Sequence, residues 1–175
     1  MFGWFNNSSK QPTSPIEATL KRSLIYYDAC KMFLDNREPV PSEKFQLAAN
    51  LYFLGAVDCA SQVSKLSDIQ FGELAQCFFS KIGITGYELS TSYVSILLMF
   101  FLKMNTNTAA MHCIVEGGHS FNEWMKGNKA IPMTVRSSIK RFEENPEFPE
   151  TIGHLYVKVE KEKNNGDGQL FNRGF

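Results

Sequence analysis

The stretch SEKFQLAANLYFLGAVDCASQVSKL, residues 42–66, decides the fold. Phe45, Ala49, Tyr52, Ala56, Cys59 and Val63 recur at steps of four and three, the spacing of one helical face. A second row, Leu47, Leu51 and Leu54, is also apolar. A helix that is apolar around most of its circumference belongs in the middle of a protein. The other elements are therefore expected to pack around it.

Working outward, Ser67-Asp68-Ile69-Gln70 reads as a capping box, with Leu66 and Phe71 as its hydrophobic staple. Phe71, Leu74, Phe78 and Ile82 give the next helix one apolar face, and Gly83 supplies a stop. Thr85 and Glu88 repeat the device ahead of a fourth helix that runs to about Met104. Asn107 is a candidate N-cap for a fifth helix over 108–126, closed by Gly127-Asn128. A sixth starts near Pro132, carries Val135, Ile139 and Phe142 on one face, and ends before Pro146. Upstream, Ile16, Leu20, Leu24, Tyr27 and Leu34 define a first helix over 16–34.

The expected fold is all-α: a single-domain bundle of five to seven helices with short connectors. Residues 1–15 form an aromatic N-terminus and polar linker, 16–160 the helical domain, and 161–175 a flexible C-terminal tail. One segment departs from the pattern. Residues 154–160 alternate polar and apolar, which fits either a lone strand or a frayed helix end.

Eighteen basic and eighteen acidic residues cancel in a chain of 175, which argues against a strongly basic nucleic-acid binder. Apolar residues at 43% exclude wholesale disorder. The longest apolar run, Val94 to Leu102 broken by Ser95, falls well short of the roughly 20 residues a bilayer span needs. No secretory leader is expected from the first residues. Cys30, Cys59, Cys77 and Cys113 are widely spaced inside apolar segments. They read as four buried free thiols in a reducing, cytoplasmic setting.

His112, Glu116, His119 and Glu123 step by four, three and four along the fifth helix. Glu116 and His119 form an E-x-x-H pair of the kind that directs a carboxylate and an imidazole at one Fe, Mn or Zn ion. Asp58, the odd carboxylate in the Leu47–Leu51–Leu54 row, is a further candidate ligand. Against this, Ile114 and Glu116 are two positions apart, about 200° around the axis, so the His/Glu stripe faces away from the apolar one. A solvated face with i,i+4 pairs is the plainer reading.

Lys126, Lys129, Arg136, Lys140 and Arg141 form a basic run that suits an anionic partner or nucleic acid. The acids from Glu143 onward make a self-compensating surface the alternative. Phe2, Trp4 and Phe5 crowd a five-residue end and are candidate partner contacts. Gly117-Gly118 in mid-helix costs about 1 kcal/mol per glycine. Close approach of the second or fourth helix is expected to offset that.

No nucleophile elbow, zincin motif or phosphate-binding glycine loop occurs. The first expectation is a non-enzymatic cytoplasmic helical module that acts by protein–protein contact or as a homodimer, without a cofactor. Metal binding through the E-x-x-H pair and anion binding through the basic run are the alternatives.

Overall fold

The computed structural model describes residues 14–34, 41–82, 91–103 and 107–155. Six helices follow in chain order: α1 (Pro15–Leu34), α2 (Glu43–Val63), α3 (Asp68–Lys81), α4 (Thr91–Lys103), α5 (Thr108–Met125) and α6 (Ile131–Glu143). A further helical turn covers 152–155, and no strand occurs among the described residues. His154 and Leu155 lie in that turn, which selects the helix-end alternative there over the lone strand; 156–160 fall outside the described residues. The chain is a single-domain helical bundle.

Local chemistry sets the helix ends. Ser42 caps α2 by accepting from Phe45 N at 3.0 Å. Ser67 and Gln70 complete the capping box of α3 from both sides. Asn107 caps α5 through Ala110 N at 3.0 Å, and its amide also donates to Glu147 O at 3.2 Å. The last turns of α2 and α5 close the same way. Lys65 N donates to Gln62 O and Leu66 N to Ser61 O, while Gly127 N donates to Trp124 O and Asn128 N to Glu123 O. Each is a Schellman motif, which needs a left-handed residue just past the helix. Gly127 fills that place at φ 101°, and Lys65 at φ 55°.

Helix α2 is central: every residue from Leu47 to Val57 is buried. Its tightest neighbour is α5, and the reason is the absence of side chains at the crossing. A Cβ on Gly117 would lie 1.8 Å from Tyr52 O, and one on Gly55 would lie 1.8 Å from Ile114 O. The hydrogens that stand in place of those Cβ atoms are thus directed at carbonyl oxygens of the opposite helix, a Cα–H···O arrangement. The Cys113 thiol adds a contact to Ala48 O at 3.2 Å. The expectation of a close helix approach at Gly117 is met by α2.

Rings fill the space between α1, α2, α3 and α5. Tyr26 meets Phe121 edge-on at 5.3 Å, Tyr27 meets Phe53 at 5.1 Å, and Phe78 meets Phe79 at 5.4 Å. Edge-to-face pairs of this kind add to the area they bury. Helix α6 closes one side with Pro132, Val135, Ile139 and Phe142 inward. The chain after α6 then folds back over the start of α2. Phe148 packs on Phe142 at 6.1 Å, and Lys44 pairs with Glu150 at 2.8 Å. Helix α4 lies on α3, joined by Phe71–Phe101 at 5.4 Å and Gln76–Ser95 at 3.4 Å. Those pairings make the two helices antiparallel, so Ile69 and Leu102 share one end of the bundle.

Candidate functional site

The His/Glu stripe of α5 faces solvent. His112 and His119 are exposed. Glu116 is bound to Arg141 of α6, and Glu123 to Lys126 at 2.8 Å. The Lys126 hydrogen bond, with the charge behind it, holds the Glu123 carboxyl below its usual range. Asp58 sits on α2, half-buried, and takes a hydrogen bond from Gln62 Nε2 at 2.7 Å. Burial pushes its carboxyl upward, and the Gln62 bond offsets part of that. No group of three or more His, Cys, Asp or Glu side chains converges among the described residues. The structure does not bring Asp58, His112, Glu116 and His119 together.

The basic run is engaged residue by residue. Arg141 holds Glu116, Lys126 holds Glu123, and Lys140 lies 3.9 Å from Glu144. Arg136 donates to Leu34 O at 3.2 Å, and Lys129 lies over the Trp124 ring at 5.5 Å. These cations are spread over the 126–130 turn and two sides of α6. The geometry is that of a self-compensating surface. Phe2, Trp4 and Phe5 lie outside the described residues.

The thiols differ from the sequence expectation. All four are free, but only Cys30 and Cys113 are buried. Cys77 is exposed because Leu74 and Phe78 take the inward positions of α3, and Cys59 is half-buried. Burial pushes Cys30 up to about 12, against a hydrogen bond from Tyr26 that pulls the other way. Burial also holds Cys113 well above its usual range. Neither is a poised nucleophile at neutral pH. Tyr26 and Tyr52 face each other at 3.4 Å in the core. Burial raises both, Tyr52 to about 12.

Two features escaped the sequence reading. The first is the outer face of α4. Val94, Leu97 and Phe100 point inward, yet the outward positions include Met99 at 45% exposure and Leu102 at 62%, with Ile96 and Leu98 half-buried. At the same end Ile69 of α3 is 78% exposed. Large apolar side chains left exposed together on one face mark a surface that a partner can cover. The signal was present in the run from Val94 to Leu102, which reads as a buried helix.

The second is a cleft of about 290 Å³ at the start of α2, lined by Glu43, Gln46, Leu47, Tyr93, Thr151 and Ile152. Asn50, one turn further along α2 and 2% exposed, is bonded to one residue of that lining. Its Nδ2 donates to the Tyr93 hydroxyl at 3.1 Å. Its Oδ1 is buried and has no hydrogen-bond partner among the described residues. Burial raises the Tyr93 phenol, Asn50 pulls it back, and the Glu43 charge raises it further. The pattern cue is an asparagine inside the Leu47–Leu51–Leu54 segment.

Compared with models of known families, with curated proteins and with solved structures, the chain has no significant match.

Proposed function

We propose that the chain is a non-enzymatic helical module that self-associates through the outer face of α4. The observation that carries this reading is the exposure of Met99 and Leu102 on a helix whose thirteen residues contain one charge, Lys103. A two-fold interface places one patch against its own copy, so it must be self-complementary. Met99 and Leu102 are themselves uncharged, and the charge beside them, Lys103, stands at the end of the helix. Ile69 at the Leu102 end extends the stripe toward α3. Burying such side chains gives each roughly 1.5–3 kcal/mol relative to water. No helix among the described residues is long and apolar enough to cross a membrane. The unpaired thiols fit a reducing compartment such as the cytoplasm.

Sedimentation velocity over a concentration series tests the reading. The full chain is expected to dimerise, and Met99→Glu with Leu102→Glu to give a monomer of unchanged helicity whose Tm no longer depends on concentration. A wild-type chain that stays monomeric throughout, or a doubly substituted chain that still dimerises, overturns it. Flotation of the wild-type monomer with lipid vesicles would assign the face to a membrane surface instead.

A further inference from the structure

We infer that the interface on α4 is completed by the N-terminal segment of the second copy, whose Phe2, Trp4 and Phe5 cover Ile69, Met99 and Leu102. The assignment rests on the self-association reading and names the part of the partner that makes the interface large enough. A stable interface buries roughly 800 Å² on each partner. Even a large aromatic side chain buries only about 150–250 Å². Met99, Leu102 and Ile69 are smaller and already part-covered, so the stripe alone falls well short of that area. Phe2, Trp4 and Phe5 together add more than the stripe itself offers. Residues 2–9 carry no charged side chain, which suits an apolar surface.

The segment joins the bundle at the end where the stripe finishes. Thr19 Oγ1 donates to Ser64 Oγ at 2.8 Å, which sets the start of α1 beside the end of α2, five positions before Ile69. Tyr27 meets Phe78 at 6.1 Å, so α1 and α3 run parallel from that end. Leu102 lies there too, because α4 is antiparallel to α3. Crossing from α1 over α3 to α4 takes two helix spacings of about 8–10 Å, roughly 20 Å in all. Ser14 stands nine positions after Phe5, a stretch that spans up to about 30 Å. The three aromatic residues therefore reach the outer side of α4, where the second copy stands in the dimer. Laid over its own stripe the segment would exclude that copy; laid across the junction it adds contact area to both.

Sedimentation velocity of the full chain beside a chain lacking residues 2–5, and beside Phe2→Ser with Trp4→Ser and Phe5→Ser, tests the assignment. Both variants keep every residue of the six helices. Each is expected to raise the dimer Kd roughly 100-fold, the effect of losing an aromatic anchor from an interface, with helicity unchanged. A photo-crosslinking p-benzoylphenylalanine in place of Trp4 tells which copy the segment touches. Irradiation above the dimer Kd is expected to give an adduct of twice the chain mass, attached within α4 or at Ile69. A dimer Kd that both variants leave unchanged overturns the assignment while the self-association reading stands. Tighter dimers from both variants, with an adduct of single-chain mass on α4, overturn it as well, because the segment then covers its own stripe. A wild-type chain that stays monomeric throughout overturns both readings together.

Discussion

Replacing Gly117 with alanine forces a methyl group to within 1.8 Å of Tyr52 O, 2.7 Å of Tyr52 C and 3.0 Å of Tyr52 Cα. All three atoms are backbone in the middle of α2, so no rotamer change relieves the clash. α5 must withdraw by more than about 1 Å to restore ordinary contact. A gap of that size forfeits a quarter to a half of the dispersion well along the seam. Overpacking ordinarily costs about 1–3 kcal/mol. Here the rigid neighbour places the cost at the upper end, about 3 kcal/mol net of the roughly 1 kcal/mol that alanine adds as a better helix former. That is a shift of about 100-fold in the folding equilibrium. In a chain of this size it lowers Tm by roughly 6–12 °C. Two internal controls sharpen the test. A Cβ on Gly118 would lie 3.1 Å from Gly55 O, so Gly118→Ala should fall between the extremes. A Cβ on Gly72 meets nothing within 4 Å, so Gly72→Ala should stabilise the chain by about 1 kcal/mol. Urea denaturation of the three variants measures the series. A Gly117→Ala chain within about 1 kcal/mol of wild type would refute the reasoning.

Lys65→Gly should stabilise the chain by about 1 kcal/mol, because a lysine holds the left-handed position that Gly127 holds in the matching motif; unchanged urea midpoints would contradict it. Asp58→Asn should stabilise the fold at neutral pH, since the raised carboxyl pKa means that ionisation opposes folding. The sign requires this advantage to shrink as pH falls toward the ordinary value of 3.8 and vanish below it, where both states carry the neutral acid; paired denaturation curves across that range check it. Thiol labelling of the native chain should modify Cys77 quickly and Cys59 more slowly, with Cys30 and Cys113 reacting on unfolding. Rapid native labelling of Cys113 would contradict its place in the α2–α5 seam.

Helix content was readable because the signals were local. The Ser67–Gln70 box, the Asn107 cap and the Gly127 stop each involve groups within a few residues, so their spacing alone specifies them. Gly117 also announced itself, as a costly residue in mid-helix that demanded a neighbour. Its counterpart Gly55 did not, because a glycine amid Leu54 and Ala56 raises no alarm until the opposing carbonyl of Ile114 is known. Residues 154 and 155 left strand and helix end both open for a related reason. Their polar–apolar alternation is short, and the burial of Leu155 in a helical turn comes from tertiary packing. The candidate site was the least legible part. The Asn50–Tyr93 pair spans 43 positions, and the return of Thr151 and Ile152 to the start of α2 spans still more. Neither has a spacing rule. The α5 stripe and the basic run were legible as patterns, but the ion pairs that occupy Glu116 and Arg141 come from separate helices.

The glycine crossing has a consequence for how the molecule breathes. With no side chains between them, α2 and α5 cannot slide or tilt by small steps, because any displacement first loses backbone contact on both sides at once. Native-state opening should therefore run around this pair and not through it. Amide protons of α4, which rests chiefly on α3, should exchange with solvent through low-energy local excursions. Those of α2 and α5 near Tyr52 and Ile114 should exchange only with global unfolding. The pair then acts as the slowest-exchanging unit, and the outer helices can detach and return while it stays closed.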